Sequence, residues 1–266
     1  MPELMCANGT RVSYDVQGSG PWLILSHSLG CGKAMWRSQF DVLARSYRVL
    51  RYDTRGHGQT DAPDGPFTLD LLADDVKALC DGLGIAKCHF VGLSMGGMIG
   101  QTVALRYPEL LISLTLASTT SHYGAAAMPF WQTRSQTALS AGMGPLVAPT
   151  IERWFTAPFR DAQPALIEQV GHWILDTPAR GYANACLAIA AIDTTARLGS
   201  LSIPVLVMVG AQDAATPPAM AELIHANVRH SRLVVLPSAA HMASIEQADR
   251  FNGALLDFLG SLDAPA

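Results

Sequence analysis

The sequence has no long apolar run and no excess of basic residues. None of its apolar stretches approaches the roughly 20 residues that a membrane-spanning helix needs. The net charge of -4 provides no basic surface of the kind that binds nucleic acid or anionic membranes. The first residues lack a basic segment followed by an apolar run, so we expect no secretory signal. The expected partner is therefore a small-molecule substrate, with no nucleic acid and no membrane.

Cysteine is scarce, and its five positions are irregularly spaced with no C-x-x-C pair. This pattern predicts reduced thiols in a cytoplasmic protein rather than disulfides or a metal site. Cys31 lies near a glycine-rich loop and is a candidate to line a pocket. Its basic neighbour in sequence is Lys33, which gives little reason to expect a reactive thiol. We expect no metal and no cofactor, because the sequence has neither a ligand cluster nor a phosphate-binding glycine pattern.

What the chain does have is enough apolar sequence for a large core. Its 266 residues are 49% hydrophobic and 15% charged, which is typical of a compact globular protein. This length suits one large α/β domain or such a domain with an inserted cap. The oligomeric state stays open, a homo-oligomer included.

Short apolar runs alternate with segments of helical periodicity. Runs that are apolar throughout are typical of a parallel sheet covered on both faces. Wholly or largely apolar runs lie at residues 22–25, 47–52, 111–116, 205–209 and 233–235. Residues 11–16 alternate instead, as an antiparallel edge strand would. The order of elements predicts an α/β fold with a mostly parallel, doubly wound sheet.

Residues 121–193 break this rhythm. They are rich in tryptophan, phenylalanine and proline and carry few strand signals, and residues 151–155 and 181–192 have helical patterns. We predict a helical cap here, inserted between two core segments at residues 1–120 and 194–266. Its aromatic side chains either face a pocket or pack the cap onto the core, and packing is expected for most of them.

Ser94 occupies the centre of Gly-Leu-Ser-Met-Gly at residues 92–96, directly after an apolar stretch. A G-x-S-x-G pattern between a strand and a helix is typical of a nucleophile elbow, a strained turn that exposes the serine hydroxyl. Glycine is needed beside the turn because larger side chains would collide there. An ordinary structural turn is the alternative, since glycine and serine are common in loops.

A serine nucleophile needs a base to take its proton and a carboxylate to orient that base. Asp213 follows the run at residues 205–209, and His241 follows the run at residues 233–235. A single helix is expected after His241, from about residue 244 to residue 259. Enzymes with a nucleophile elbow carry these groups in the chain order serine, acid, histidine. We therefore predict Ser94, Asp213 and His241 as the catalytic residues, and structural roles for the other seven histidines.

Stabilising an oxyanion beside Ser94 requires hydrogen-bond donors. The backbone N–H of Met95 is one expected donor, and that of Leu29, in the loop after residues 22–25, is the second. The glycine-rich, charged run at residues 51–58 follows another strand. It matches no phosphate-binding pattern, so we expect it to fix a loop rather than take part in chemistry. The last residues, 263–266, are expected to fray.

Together these motifs resemble the α/β-hydrolase superfamily and, within it, the 3-oxoadipate enol-lactonases. The resemblance runs over nearly the whole chain and is carried by residues 25–30, 51–58, 92–98, 153–156, 210–217 and 240–246. It implies hydrolysis of a small enol-lactone that carries a carboxylate. It also implies that Trp131 and Arg134, one helical turn apart, contact the substrate. A solvated cap residue is the alternative for Arg134.

The chain departs from those lactonases near the predicted site. They usually carry asparagine where His27 stands, a serine–asparagine pair in place of Ala243 and Ser244, and a different segment at residues 117–122. The substrate therefore remains open: a general carboxylesterase, a carbon–carbon bond hydrolase and a perhydrolase all use the same triad. A ligand receptor on a hydrolase fold is a further alternative. A haloalkane dehalogenase is disfavoured, since its elbow carries aspartate.

Overall fold

An eight-stranded sheet lies at the centre of the protein in a computed structural model, which describes residues 2–263. The strands of this part of the chain are β1 (Glu3–Met5), β2 (Arg11–Gln17), β3 (Trp22–Ser26), β4 (Arg48–Tyr52), β5 (Cys88–Leu93), β6 (Leu111–Ala117), β7 (Val205–Gly210) and β8 (Ser231–Leu236). The predicted fraying covers residues 263–266, of which all but Asp263 lie outside the described range.

The spatial order of the strands is β1-β2-β4-β3-β5-β6-β7-β8. The pairs β1–β2 and β2–β4 are antiparallel and the remaining pairs are parallel. The predicted fold class, a mostly parallel doubly wound sheet, is confirmed. Residues 11–16 do form an antiparallel strand, but the prediction that it is the edge was wrong, because β1 pairs along its outer side. With three residues, β1 is too short to give a periodic signal.

Helices cover both faces of the sheet. Those of the described chain are α1 (Arg37–Leu43), α2 (Leu69–Gly82), α3 (Met95–Arg106), α4 (Met128–Ala141), α5 (Gly144–Trp154), α6 (Ala157–Ala162), α7 (Pro164–Leu175), α8 (Ala179–Ala190), α9 (Pro218–Asn227), α10 (Ala243–Glu246) and α11 (Ala248–Asp263). Short 3₁₀ segments lie at Lys33–Trp36, Pro108–Leu110, Ala125–Ala127 and Thr195–Ser200. None of the helices within residues 2–263 is long and apolar enough to cross a membrane.

The order of the strands across the sheet determines which face each helix covers. Right-handed crossovers put α1 on one face and α2 and α3 on the other, because the chain moves outward to β4 and then back to β5. Accordingly α1 packs on α11, while α2 packs on α3. Every residue of β5 is buried between these layers, and apart from His89 its sequence is apolar.

Two predicted elements differ from the structure near the C-terminus. Residues 233–235 belong to the longer strand β8, which is the exposed edge of the sheet rather than a buried strand, and Val235 is 45% exposed. The single helix expected after His241 is two helices, α10 and α11, separated at Gln247.

Helices α4 to α8 lie between β6 and β7, and we call them the helical insertion. Within it α4 packs on α8 and α5 packs on α7. Its two ends meet, since His122 and Asp193 form an isolated antiparallel bridge. The predicted helices at residues 151–155 and 181–192 correspond to the end of α5 and to α8. The division of the chain into core and cap domains stays a prediction.

Candidate active site

Ser94 lies in the turn between β5 and α3, with φ of 56° and ψ of -114°. A positive φ is strained for serine and persists only where the surroundings fix it. Here the N–H of Ser94 donates to the carbonyl of Ala117 at 2.9 Å. The Thr119 hydroxyl donates to the carbonyl of Ser94 at 2.7 Å. The strained turn expected of a nucleophile elbow is present, at the carboxyl edge of the sheet.

Glycines on both sides of Ser94 let β5 and α3 approach this closely. A Cβ on Gly92 would lie 2.2 Å from the carbonyl oxygen of Gly96. A Cβ on Gly96 would lie 2.1 Å from the carbonyl oxygen of Ser26, at the end of β3. Both contacts are with backbone, so a side chain at either position has to push two elements of the core apart.

We expect Gly96→Ala to lower the free energy of unfolding by about 1–3 kcal/mol, the usual cost of overpacking a rigid core. Gly253→Ala in α11 is the matched control. An added Cβ there meets no atom within 4 Å. Because alanine is the better helix former, this variant should gain about 0.5–1 kcal/mol. Urea denaturation measures both, and equal effects at the two positions would contradict the steric argument.

Asp213 and His241 meet at the same edge of the sheet, after β7 and β8. His241 Nδ1 lies 2.9 Å from Asp213 Oδ2 and 3.1 Å from Oδ1, and both side chains are buried. The N–H groups of Ala215 and Thr216 donate to Oδ1 at 2.8 and 2.9 Å, and the Thr216 hydroxyl donates to Oδ2 at 2.9 Å. These bonds fix the carboxylate, which in turn orients the imidazole.

Two opposing influences set the pKa of Asp213. Burial raises the pKa, but the charge of protonated His241 and the hydrogen bonds from His241 and Thr216 outweigh burial. The pKa of Asp213 therefore lies below its ordinary value, so the carboxyl is ionised throughout the neutral range. An ionised carboxylate accepts a hydrogen bond from Nδ1–H, which keeps the proton on Nδ1 and leaves Nε2 as the basic nitrogen of His241.

The loop that carries His241 is tied to the helical insertion. The indole of Trp154 stacks on the imidazole at 6.2 Å, and the N–H of Met242 donates to the carbonyl of Trp154 at 3.0 Å. The buried carboxylate of Glu246 accepts from the N–H of Ala240 at 2.8 Å, from the N–H of Thr156 at 3.0 Å and from the Thr156 hydroxyl. The motifs at residues 153–156 and 240–246 thus meet at one corner.

The two predicted oxyanion donors, Leu29 and Met95, have backbone N–H groups that are not used by the fold of the described chain. Met95 is the first residue of α3, so its N–H has no acceptor within the helix. Leu29 lies in the loop after β3 and lines the same cavity as Ser94. Neither N–H donates a hydrogen bond to another residue between positions 2 and 263. Both are thus free to bind a developing negative charge.

A cavity with about 430 Å³ of empty space opens between the sheet edge and the helical insertion. Ser94, His241 and Leu29 line it from the core. Trp131 and Arg134 line it from α4, so the structure brings both predicted substrate-contacting residues to the cavity. Sequence analysis did not identify the other lining residues, among them Thr150, Arg153 and Tyr182. An arginine on the apolar helix α5 was the available signal for Arg153.

The polar side chains of the described residues that line this cavity include no carboxylate, and some of them are held by hydrogen bonds to one another. Arg134 Nε lies 3.0 Å from the Tyr182 hydroxyl. Nη2 of Arg134 contacts the same hydroxyl and donates to the Thr150 hydroxyl at 2.6 Å. The indole N–H of Trp131 is buried and has no partner among the described residues. The cavity thus offers hydrogen-bond donors and positive charge.

The remaining histidines near the site serve the fold. His27 Nε2 accepts from the N–H of Thr54, and Nδ1 donates to the carbonyl of Ser28, both at 2.8 Å. Burial lowers the pKa of His27 and lowers that of His57 to about 3, so both are neutral. The loop at residues 51–58 is fixed by buried ion pairs, Lys33–Asp53 at 3.2 Å and Arg55–Asp75.

The described residues contain no group of three side chains suited to hold a metal ion. All five cysteines are free and buried. Cys31 lines a different cavity from Ser94, together with Lys33 and Asp53. Burial raises the pKa of its thiol, which therefore stays protonated and unreactive.

Residues 21–248 match the family model of the alpha/beta hydrolase fold. The chain belongs to this family and is a hydrolase. It is 39% identical to 3-oxoadipate enol-lactonase 2 of Acinetobacter baylyi, over 95% of this chain and 94% of the relative.

Two solved structures are also similar. The enol-lactonase from Burkholderia xenovorans LB400 is 36% identical with a TM-score of 0.94, over 97% of this chain and 100% of that one. A thermophilic esterase from Thermogutta terrifontis, solved with malate bound, is 29% identical with a TM-score of 0.94, over 99% of both chains.

Proposed function

We propose that the protein is a serine hydrolase of small lactones or esters that carry a carboxylate, and that 3-oxoadipate enol-lactone is its substrate. The observation that carries the proposal is one cavity lined by Ser94, His241 and Arg134, in which no lining residue of the described chain is acidic. The similarity to 3-oxoadipate enol-lactonase 2 supports the same substrate.

The reaction follows from the roles of these groups. Ser94 attacks the lactone carbonyl while Nε2 of His241 takes its proton, and Asp213 stabilises the imidazolium. The N–H groups of Leu29 and Met95 bind the oxyanion. Collapse of the tetrahedral intermediate expels the ring oxygen as an enol, which receives the proton from His241. Water, activated by the same histidine, then hydrolyses the acyl-enzyme and releases a dicarboxylate.

Trp131 and Arg134 are proposed to bind the carboxylate of the substrate. Tyr182 and Thr150 hold the guanidinium of Arg134, so little freedom is lost when the ligand binds. The unpartnered indole N–H of Trp131 is an additional donor. The malate in the Thermogutta terrifontis esterase shows that a relative of this fold binds a dicarboxylate.

We expect the wild-type protein to hydrolyse 3-oxoadipate enol-lactone with a higher kcat/KM than p-nitrophenyl acetate. Arg134→Ala should lower kcat/KM for the lactone roughly 10-fold to 100-fold, since a hydrogen bond to a charged group is lost. It should change kcat/KM for the neutral ester little. Steady-state kinetics with both substrates measures this selectivity.

Arg180→Ala is the matched control, because this arginine of the helical insertion is exposed and paired with Asp64. The Arg180→Ala variant should leave kcat/KM unchanged for both substrates. Hydrolysis of short esters without hydrolysis of the lactone would overturn the proposed substrate and leave a general carboxylesterase. Equal losses for both substrates in Arg134→Ala would refute the role of Arg134.

We also propose that the protein works in the cytoplasm. The five free, buried cysteines support a reducing compartment.

A further inference from the structure

Arg153 lies in the last turn of α5 and reaches the cavity from the side opposite the sheet. It lines the same cavity as Ser94 and Arg134, and its neighbour Trp154 stacks on the imidazole of His241. Its side chain is half-buried. Arg153 is therefore close to the reacting groups, and the mechanism above does not use it.

The guanidinium of Arg153 has no polar partner. It forms no hydrogen bond or ion pair with any residue between positions 2 and 263, and its protein contact is the ring of Phe130, 4.7 Å from Cζ. Other partly buried arginines of the chain are satisfied, as Arg51 is by Asp15 and Arg55 by Asp75. A half-buried guanidinium with five N–H donors and no acceptor in the protein is available to bind an anionic ligand in the cavity.

Arg153 also lies near a second positive charge. The guanidinium of Arg134 contacts the same Phe130 ring, with Cζ 5.6 Å from its centroid. Burial lowers the pKa of Arg153 and repulsion by Arg134 lowers it further, and together they outweigh the attraction by Asp213. Two like charges beside one aromatic ring, with no carboxylate among the residues that line the cavity, form a site suited to an anion.

We propose that Arg153 is a second substrate-binding cation, which together with Arg134 selects esters and lactones that carry a carboxylate. This inference rests on the proposed function. Arg134 is held by Tyr182 and Thr150, whereas Arg153 is free to turn onto the ligand. The hydrolysis product has a second carboxylate, so a six-carbon dicarboxylate should compete with substrate for the pair.

The test uses p-nitrophenyl hexanoate and mono-p-nitrophenyl adipate, two six-carbon acyl esters in which a methyl group of one is a carboxylate in the other. Arg153→Gln should raise KM for the anionic ester roughly 10-fold to 100-fold, and Arg153→Lys should raise it less. KM for the neutral ester should change less than about twofold, because the reacting groups are intact. The anionic preference of the wild type should weaken as salt is added.

Arg180→Gln, which removes the same charge from the exposed face of the insertion, is the matched control and should behave as wild type. Adipate provides a second measurement: it should inhibit hydrolysis of the neutral ester competitively in the wild type and more weakly in Arg153→Gln. Retained neutral-ester turnover shows that each variant is folded.

Equal changes in KM for the two esters would assign Arg153 to packing on Phe130 and overturn the proposal. Unchanged adipate inhibition would also overturn it. Failure to hydrolyse the enol-lactone, with the ester selectivity intact, would refute the proposed substrate and leave the role of Arg153 standing.

Discussion

Replacing Ser94 with alanine is expected to lower kcat for p-nitrophenyl acetate by roughly 10⁵-fold to 10⁶-fold, the loss typical of removing a triad nucleophile. No other hydroxyl takes its place, because the strained turn aims this one side chain at the carbonyl carbon. The fold should persist: the hydrogen bonds of Ser94 to Ala117 and from Thr119 involve its backbone, which alanine keeps.

Ser118→Ala is a closely matched control. Ser118 is also buried, follows a parallel strand and has a positive φ, 43°, but it does not line the cavity. Its hydroxyl has no partner among the described residues. The control should hydrolyse the ester at the wild-type rate. Retained esterase activity in Ser94→Ala, or an equal loss in both variants, would contradict the assignment of the nucleophile.

Asp213→Asn is expected to lower kcat roughly 10⁴-fold, with little change in KM. The carboxylate accepts a hydrogen bond from Nδ1–H of His241, and an amide that presents its NH2 group instead favours the wrong tautomer. The charge that stabilises the imidazolium is lost as well. Steady-state kinetics on p-nitrophenyl acetate measures the effect.

Asp213→Asn should also destabilise the fold in a pH-dependent way. Because the folded-state pKa of Asp213 lies below the unfolded one, its ionisation stabilises the protein above the unfolded value, about 3.9. This contribution disappears as the pH falls through the folded-state pKa. The stability difference between wild type and variant, from urea denaturation, should be constant near neutrality and shrink below about pH 4.

Asp193→Asn is the control for both measurements. Asp193 lies 3.4 Å from Nδ1 of His122 in an exposed pair, which solvent screens. It should leave kcat unchanged and stability nearly so. A loss of kcat at Asp193 comparable to that at Asp213 would argue against a specific role for the buried pair.

The sequence predicted those parts of the site that depend on local geometry. Ser94 belongs to a short motif whose glycines are required by contacts within and beside it. Asp213 and His241 follow apolar strands, and the carboxyl ends of parallel strands meet at one edge, so order along the chain was enough to bring them together. Trp131 and Arg134 came from the resemblance, and their helical spacing agrees with a shared cavity.

The parts that sequence analysis missed depend on contacts between distant segments. Arg153 belongs to the motif at residues 153–156, but the motif alone does not show that its side chain lines the cavity, which depends on how α5 packs on α7. Glu246 lies within a predicted helix, where a buried carboxylate and a solvated one have the same sequence signal. The short strand β1 and the break at Gln247 follow from tertiary packing, which outweighs local propensity.

The contacts at Glu246 limit where a ligand can enter and leave the cavity. The backbone of Thr156, at the junction of α5 and α6, is bonded to the same carboxylate as Ala240, beside the general base. Movement of the helical insertion about this junction would displace the imidazole of His241 relative to Ser94. We therefore expect substrate to enter away from this junction, on the side of α4 where Phe130 is 41% exposed, since movement there leaves His241 in place.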